Sequence, residues 1–145
     1  MPTVKLVLEY DGTCYAGWQR QPDRLTIQEA VEQAIRQVSQ ATVSVIGAGR
    51  TDSGVHARGQ VASFLTNLDW PASNWMRALN AVLPKDIAVR SSALMDDRFH
   101  AQHDARGKLY TYRLLHRPAR PTIDRAFAWH IYKPLNETAM QQAAT

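Results

Sequence analysis

The segment Gly47-Ala48-Gly49-Arg50-Thr51-Asp52-Ser53-Gly54-Val55-His56 gathers the side chains of this sequence best suited to chemistry. Asp52 has Arg50 two residues before it and His56 four residues after it. A carboxylate between Gly49 and Gly54 can be held on a tight turn at a strand end, open to a ligand. Arg50 can stabilise the ionised carboxylate, or contact a phosphate or a base edge. The competing reading is an Asx turn, in which Asp52 merely bonds its own backbone. Spacing leaves both open and does not identify a reaction.

Other groupings carry less. Gly47-Ala48-Gly49 followed by Arg50-Thr51-Asp52 lacks the third glycine of a dinucleotide fingerprint, and no Gly-Lys-Ser/Thr phosphate loop occurs. Neither a Gly-x-Ser-x-Gly elbow nor the His-x-Glu and Pro-Cys-x-x-Cys pair of a zinc deaminase is present. His100 and His103 with Asp104 could be drawn as metal ligands, and so could Asp52 with His56, but neither set has a clear further ligand. A surface or RNA-facing role suits the two histidines better. Asp96-Asp97 reads as a solvated loop. The single cysteine, Cys14, excludes an internal disulfide and a multi-cysteine zinc site.

The elements that must position these residues follow from hydrophobic period. Thr3 to Tyr10 alternates Val4, Leu6 and Leu8 against Lys5 and Glu9, a half-buried strand. Asp11-Gly12-Thr13 breaks it and opens a loop to about Arg24. Thr26-Ile27-Gln28-Glu29 is a capping box, and Ile27, Val31, Ala34, Ile35 and Val38 share a helix face after it. Thr42 to Ile46 is β-branched and predicts a second strand; the three glycines of Gly47 to Gly54 predict a loop. Gln60 to Leu65 reads as a third strand antiparallel to the second. Asp69-Trp70-Pro71 opens a second helix with Trp75, Leu79 and Val82 on its apolar side, and Pro84 ends it. Ile87 to Leu94, Lys108 to Leu115 and Ala126 to Tyr132 read as further strands. The order β-α-β-β-α-β predicts an α+β fold, ferredoxin-like, with helices on one face of an antiparallel sheet. Asn136 is a helix N-cap, and the pattern after it stops within about two turns, which reads as a fragment of a longer chain.

The 145 residues are 45% hydrophobic and 21% charged, enough for one domain with a single core. No apolar run approaches the roughly 20 residues needed to span a bilayer. The first residues enter a strand pattern with no signal-peptide layout, so a cytoplasmic protein is expected. Charge is unevenly placed. Between Arg98 and Lys133 eight basic residues face only Asp104 and Asp124, whereas residues 1–97 carry nine basic and ten acidic side chains. The basic stretch is interleaved with Phe99, Tyr110, Tyr112, Phe127 and Trp129. Cations neutralise phosphates and aromatic faces stack on unpaired bases, so the mixture suits looped RNA; a solvated basic face over core aromatics is the alternative.

Gly49 to Ala57, continuing to Gly59-Gln60-Val61, closely resembles the active-site motif of the TruA family of tRNA pseudouridine synthases. Four more stretches agree in order and spacing: Tyr10-Asp11-Gly12 through Tyr15, Gly17, Trp18, Gln19 and Gln21; Asn80 to Pro84; Phe99-His100-Ala101; and Lys108-Leu109-Tyr110-Thr111-Tyr112. The resemblance implies isomerisation of uridine to pseudouridine in the anticodon stem–loop of tRNA, without cofactor or metal. It implies Asp52 as the catalytic aspartate, Tyr110 as the stacking platform for the target uracil, and Arg50 as a substrate contact that helps extrude the nucleotide. It also implies a homodimer for the complete protein, while the lack of a spanning apolar run predicts no membrane partner. Family members are nearly twice as long; the half that would supply a second arginine and the apolar wall of the cleft is absent here. Residues 1–145 would then be the N-terminal, catalytic-aspartate domain, weakly active or inactive alone. A rival class is an RNA-binding module that does no chemistry. Asp52 argues against it, since binding does not require that residue. A carboxylate hydrolase lacks a second partnered acid.

Overall fold

The computed structural model describes residues 1–144 and divides into two compact units, one of residues 1–107 and one beginning at Lys108. In the first, β1 (Thr3–Tyr10), α1 (Ile27–Ser39), β2 (Ile46–Gly47), β3 (Ala57–Leu65), α2 (Ala72–Val82) and β4 (Ile87–Met95) follow in sequence. The sheet order is β2-β3-β1-β4 with every neighbour antiparallel. This is the expected ferredoxin-like β-α-β-β-α-β arrangement.

Alternation on β1 builds the core. Val4, Leu6, Leu8 and Tyr10 are all buried, and they pack with Ile27, Val31 and Ile35 of α1, Trp75 and Leu79 of α2, and Phe64 of β3. Both helices therefore cover one sheet face. α1 begins where its capping box predicts: Thr26 Oγ1 accepts from the Glu29 amide at 3.4 Å. α2 starts at Ala72 with Pro71 as its cap residue and no side-chain cap bond. On the opposite face one end is covered by residues 96–104. Thr3 Oγ1 donates to Asp97 O at 3.4 Å, the Ala101 amide donates to buried Ser63 Oγ at 3.1 Å, and Lys5 Nζ lies 5.7 Å from the Phe99 ring centre.

The second strand differs from expectation. Thr42 to Val45 is not a strand, and β2 is only Ile46–Gly47. Val45 is buried, but its amide donates to Glu32 Oε1 (2.9 Å) and its carbonyl accepts from Gln28 Nε2 (3.1 Å). Side chains of α1 take the bonds that a ladder would need. Gly47, expected in the loop, is in β2 because its α-carbon backs onto Trp18; a Cβ there would stand 2.6 Å from the indole.

The second unit holds β5 (Leu114–His116), β6 (Trp129–Ile131) and α3 (Glu137–Ala143). The strands expected over Lys108 to Leu115 and Ala126 to Tyr132 shrink to these three-residue pieces, paired parallel with each other and outside the main sheet. Among the described residues Lys108 to Tyr112 forms no strand, the Arg113 carbonyl accepts from the Trp129 amide at 2.7 Å, and Leu109 and Tyr112 are exposed. α3 is capped by Asn136, whose Oδ1 accepts from the Ala139 amide at 2.9 Å. No helix among the described residues is long and apolar enough to cross a membrane.

Candidate active site

Two loops of the first unit meet around Asp52, and glycines allow it. Gly17 has φ +90°, and a Cβ on it would stand 2.6 Å from the Thr51 carbonyl oxygen. A Cβ on Gly12 would stand 2.0 Å from the Val55 carbonyl oxygen. The loop after β1 can therefore lie against residues 51–55 only if these two positions carry no side chain. Backbone bonds fix the contact: the Trp18 amide donates to Thr51 O (2.9 Å) and the Gly54 amide to Tyr15 O (3.2 Å). Ser53 Oγ donates to the same Tyr15 carbonyl at 3.3 Å. Asp52 itself starts a tight turn, closed by the Val55 amide donating to Asp52 O (3.1 Å), with Gly54 at φ +78°.

Side chains brace the same turn from either end. The Tyr10 hydroxyl and Thr51 Oγ1 share a 2.9 Å hydrogen bond. The Gly12 amide donates to His56 Nδ1 at 3.1 Å, and Asp11 Oδ1 lies 3.0 Å from that nitrogen. One nitrogen cannot accept from Gly12 and donate to Asp11 together. Imidazole with a bare Nδ1 makes the first bond, and a ring carrying its proton on Nδ1 makes the second. In either state His56 ties residues 11–12 to the end of the turn. The Thr13 hydroxyl (2.6 Å) and amide (3.0 Å) also donate to Asp11, and with His56 they hold its carboxyl below the ordinary 3.8.

Against this fixed backbone the Asp52 side chain is exposed, and its carboxylate has no hydrogen-bond or ion-pair partner among the described residues. The Asx turn is therefore not what this residue makes. Arg50 is likewise exposed, with no side-chain partner among the described residues, while the carbonyl before it, Gly49 O, accepts from Gln60 Nε2 at 2.6 Å. Arg50 and Asp52 thus share one loop of the first unit without being spent on each other. Chemically this is an open carboxylate on a rigid turn with a cation two residues away, able to act as nucleophile or base toward a docked ligand. Tyr110 belongs to the second unit, where it is 62% exposed.

His100, His103 and Asp104 bond to one another as a turn: His100 N donates to Asp104 Oδ2 (2.8 Å) and His103 N to His100 Nδ1 (3.2 Å). Among the described residues no group of three His, Cys, Asp or Glu side chains is arranged to hold a metal ion. Sequence reasoning missed Tyr10, Gly12, Gly17 and His56 as the parts that position Asp52. The first three stand in the recognised N-terminal stretch, but contacts across some 40 residues have no local signal.

Comparison with known proteins adds a separate line. Residues 6–104 match the family model described as tRNA pseudouridine synthase. A tRNA pseudouridine synthase A of Syntrophotalea carbinolica is 46% identical over 144 residues, 99% of this chain and 57% of that protein. One from a Thermoanaerobacter species is 46% identical over all of this chain and 59% of its own length. A tRNA pseudouridine synthase A 2 of Clostridium perfringens is 45% identical over 99% of this chain and 59% of its own. The chain therefore spans well under two thirds of the length of these relatives.

Proposed function

The chain belongs to the tRNA pseudouridine synthase family, and from that premise we propose that it is the N-terminal, Asp52-bearing domain of an enzyme that isomerises uridine to pseudouridine in tRNA. The reaction breaks the bond between C1′ and N1 of the base, turns the uracil, and joins C5 to C1′; the proton on C5 leaves and N1 regains one. No atoms are gained or lost overall. Asp52 is the catalytic carboxylate, Tyr110 the face on which the extruded uracil stacks, and Arg50 the cation that fills the stack or holds phosphate. The substrate site is the anticodon stem–loop, and the complete protein is a cytoplasmic homodimer.

One observation carries this reading: among the described residues the Asp52 carboxylate has no partner, while its backbone is bonded at Thr51, Asp52 and Gly54. A structural aspartate would use its oxygens on neighbouring amides. This one is held still and left open, as pre-organised chemistry requires. Asp52→Ala in the complete protein is expected to abolish pseudouridine formation, read by primer extension on tRNA, with tRNA affinity largely kept. Retained modification in that variant would sink the assignment, and unchanged tRNA binding with no measurable chemistry in either form would favour an RNA-binding module.

A further inference from the structure

Both register irregularities of β1 fall at the same place, between Val7 and Tyr10. Toward β3, Leu8 pairs with Gln60 and Tyr10 with Ala57, so Arg58 and Gly59 together oppose Glu9. Toward β4, Val7 pairs with Ser91 and Leu8 with Val89, so Arg90 is the extra residue. Bulges bend a strand and re-aim side chains, and they gather beside functional sites. Here two of them flank one strand, and alternation along β1 puts Glu9 on the face away from the helices.

The side chains confirm that aim. Arg90 Nη1 donates to the Arg58 carbonyl at 2.7 Å, reaching from β4 over β1 to β3, a span of about 10 Å at normal strand spacing. Its Nε lies 4.0 Å from Glu9 Oε2, with both side chains more than half exposed. Arg58 is exposed, and its guanidinium has no hydrogen-bond or ion-pair partner among the described residues. The Arg90 guanidinium is thus fixed at the backbone of Arg58, and Glu9 is the carboxylate it faces. Lys5 lies further along the same face, so the surface is net cationic. A guanidinium fixed by a backbone carbonyl presents its remaining N–H groups to an anion with little further entropy loss.

We propose that Arg58 and Arg90 form a phosphate-binding pair that seats the RNA backbone on the open sheet face. Strand β3 leads straight out of the Asp52 turn, so a phosphodiester held at Arg58 lies on the same rigid element that leaves the reactive loop. The proposal rests on the RNA-substrate reading above and adds a specific docking point to it. Phosphate contacts position an RNA without reading its sequence, so the pair governs register and affinity rather than base choice.

The test is tRNA binding by the full chain across a salt series, with Arg58→Gln and Arg90→Gln, and with Arg36→Gln on the exposed side of α1 as a charge-matched control. Each of the first two is expected to reduce the slope of log K against log salt by about 0.7 to 0.9, the value of one phosphate contact, while the control leaves it unchanged. Arg58→Lys, which keeps the cation, should restore most of the slope. Slopes for Arg58→Gln and Arg90→Gln equal to that of Arg36→Gln would overturn the pair, as would the absence of any salt-dependent tRNA binding. Polyglutamate binding with the same dependence on both arginines would assign the surface to acidic peptides and also overturn it. The catalytic reading fails separately, through modification that survives Asp52→Ala, whatever the salt slopes show.

Discussion

Tyr15 shows how single residues hold this site. Its carbonyl accepts from Gly54 N and Ser53 Oγ, its amide donates to Gly12 O, and its hydroxyl donates to Asp86 Oδ1 at 2.7 Å. The Asp52 turn is therefore anchored to the entrance of β4 through one buried ring. Burial, then the bond to Asp86, pushes the phenol well above its ordinary 10.0. The folded protein keeps that proton when the unfolded chain has lost it. Stability from this group is complete below pH 10 and declines as pH rises further. Tyr15→Phe is expected to cost about 1–2 kcal/mol near neutrality, read from urea midpoints, because a hydrogen bond to a carboxylate is removed. Above pH 10 the gap to wild type should narrow; a gap that widens would contradict the assignment. The identity of Asp52 was legible in the motif at this scale, but its freedom was not. That freedom depends on Gly12, Gly17 and His56 engaging the backbone around it, which no local pattern encodes.

Elements were legible where periodicity and packing agree. β1 and α1 match their patterns because Val4, Leu6 and Leu8 meet Ile27, Val31 and Ile35 across one interface. The β-branched run at Thr42 misled because propensity describes a residue's fit to a ladder, and α1 supplies other partners. Glu32 is central to that substitution. It is nearly fully buried, accepts from Val45 N and Gln28 Nε2, and pairs with Arg20, whose own amide donates to Gln28 Oε1. One carboxylate thus joins the loop after β1, helix α1 and the approach to β2. Glu32→Ala would leave the buried Val45 amide without its acceptor and Gln28 Nε2 with the Val45 carbonyl alone, and is expected to destabilise by about 2–4 kcal/mol. Arg20→Ala should cost under about 1 kcal/mol, since its side chain is 56% exposed and Glu32 keeps two other donors. Urea unfolding of both variants checks the ranking, and equal losses would show that the ion pair, not the buried amides, is what Glu32 serves.

At the scale of the whole molecule the two units differ in what they bury. The hydrophobic core lies entirely in residues 1–107, while Leu109, Tyr110, Tyr112, Ile123, Trp129 and Tyr132 of the second unit are exposed. The basic and aromatic content of this stretch was legible in the sequence. Its strands were legible in part: β6 lies inside the expected Ala126 to Tyr132, whereas of Lys108 to Leu115 only the last two residues enter β5. Isomerising a base needs a positioned uracil and exclusion of water, yet Asp52 and Tyr110 both stand in solvent. The relatives carry over 40% of their length outside the matched region. A catalytic group displaced by about 1 Å can lose on the order of 100-fold in rate. The 145-residue chain is therefore expected to form pseudouridine at least about 100-fold more slowly than the full-length Syntrophotalea carbinolica relative, in single-turnover assays on the same tRNA. Matching rates would show that residues 1–145 already contain the whole catalytic environment, and that exposure of Asp52 costs the reaction nothing.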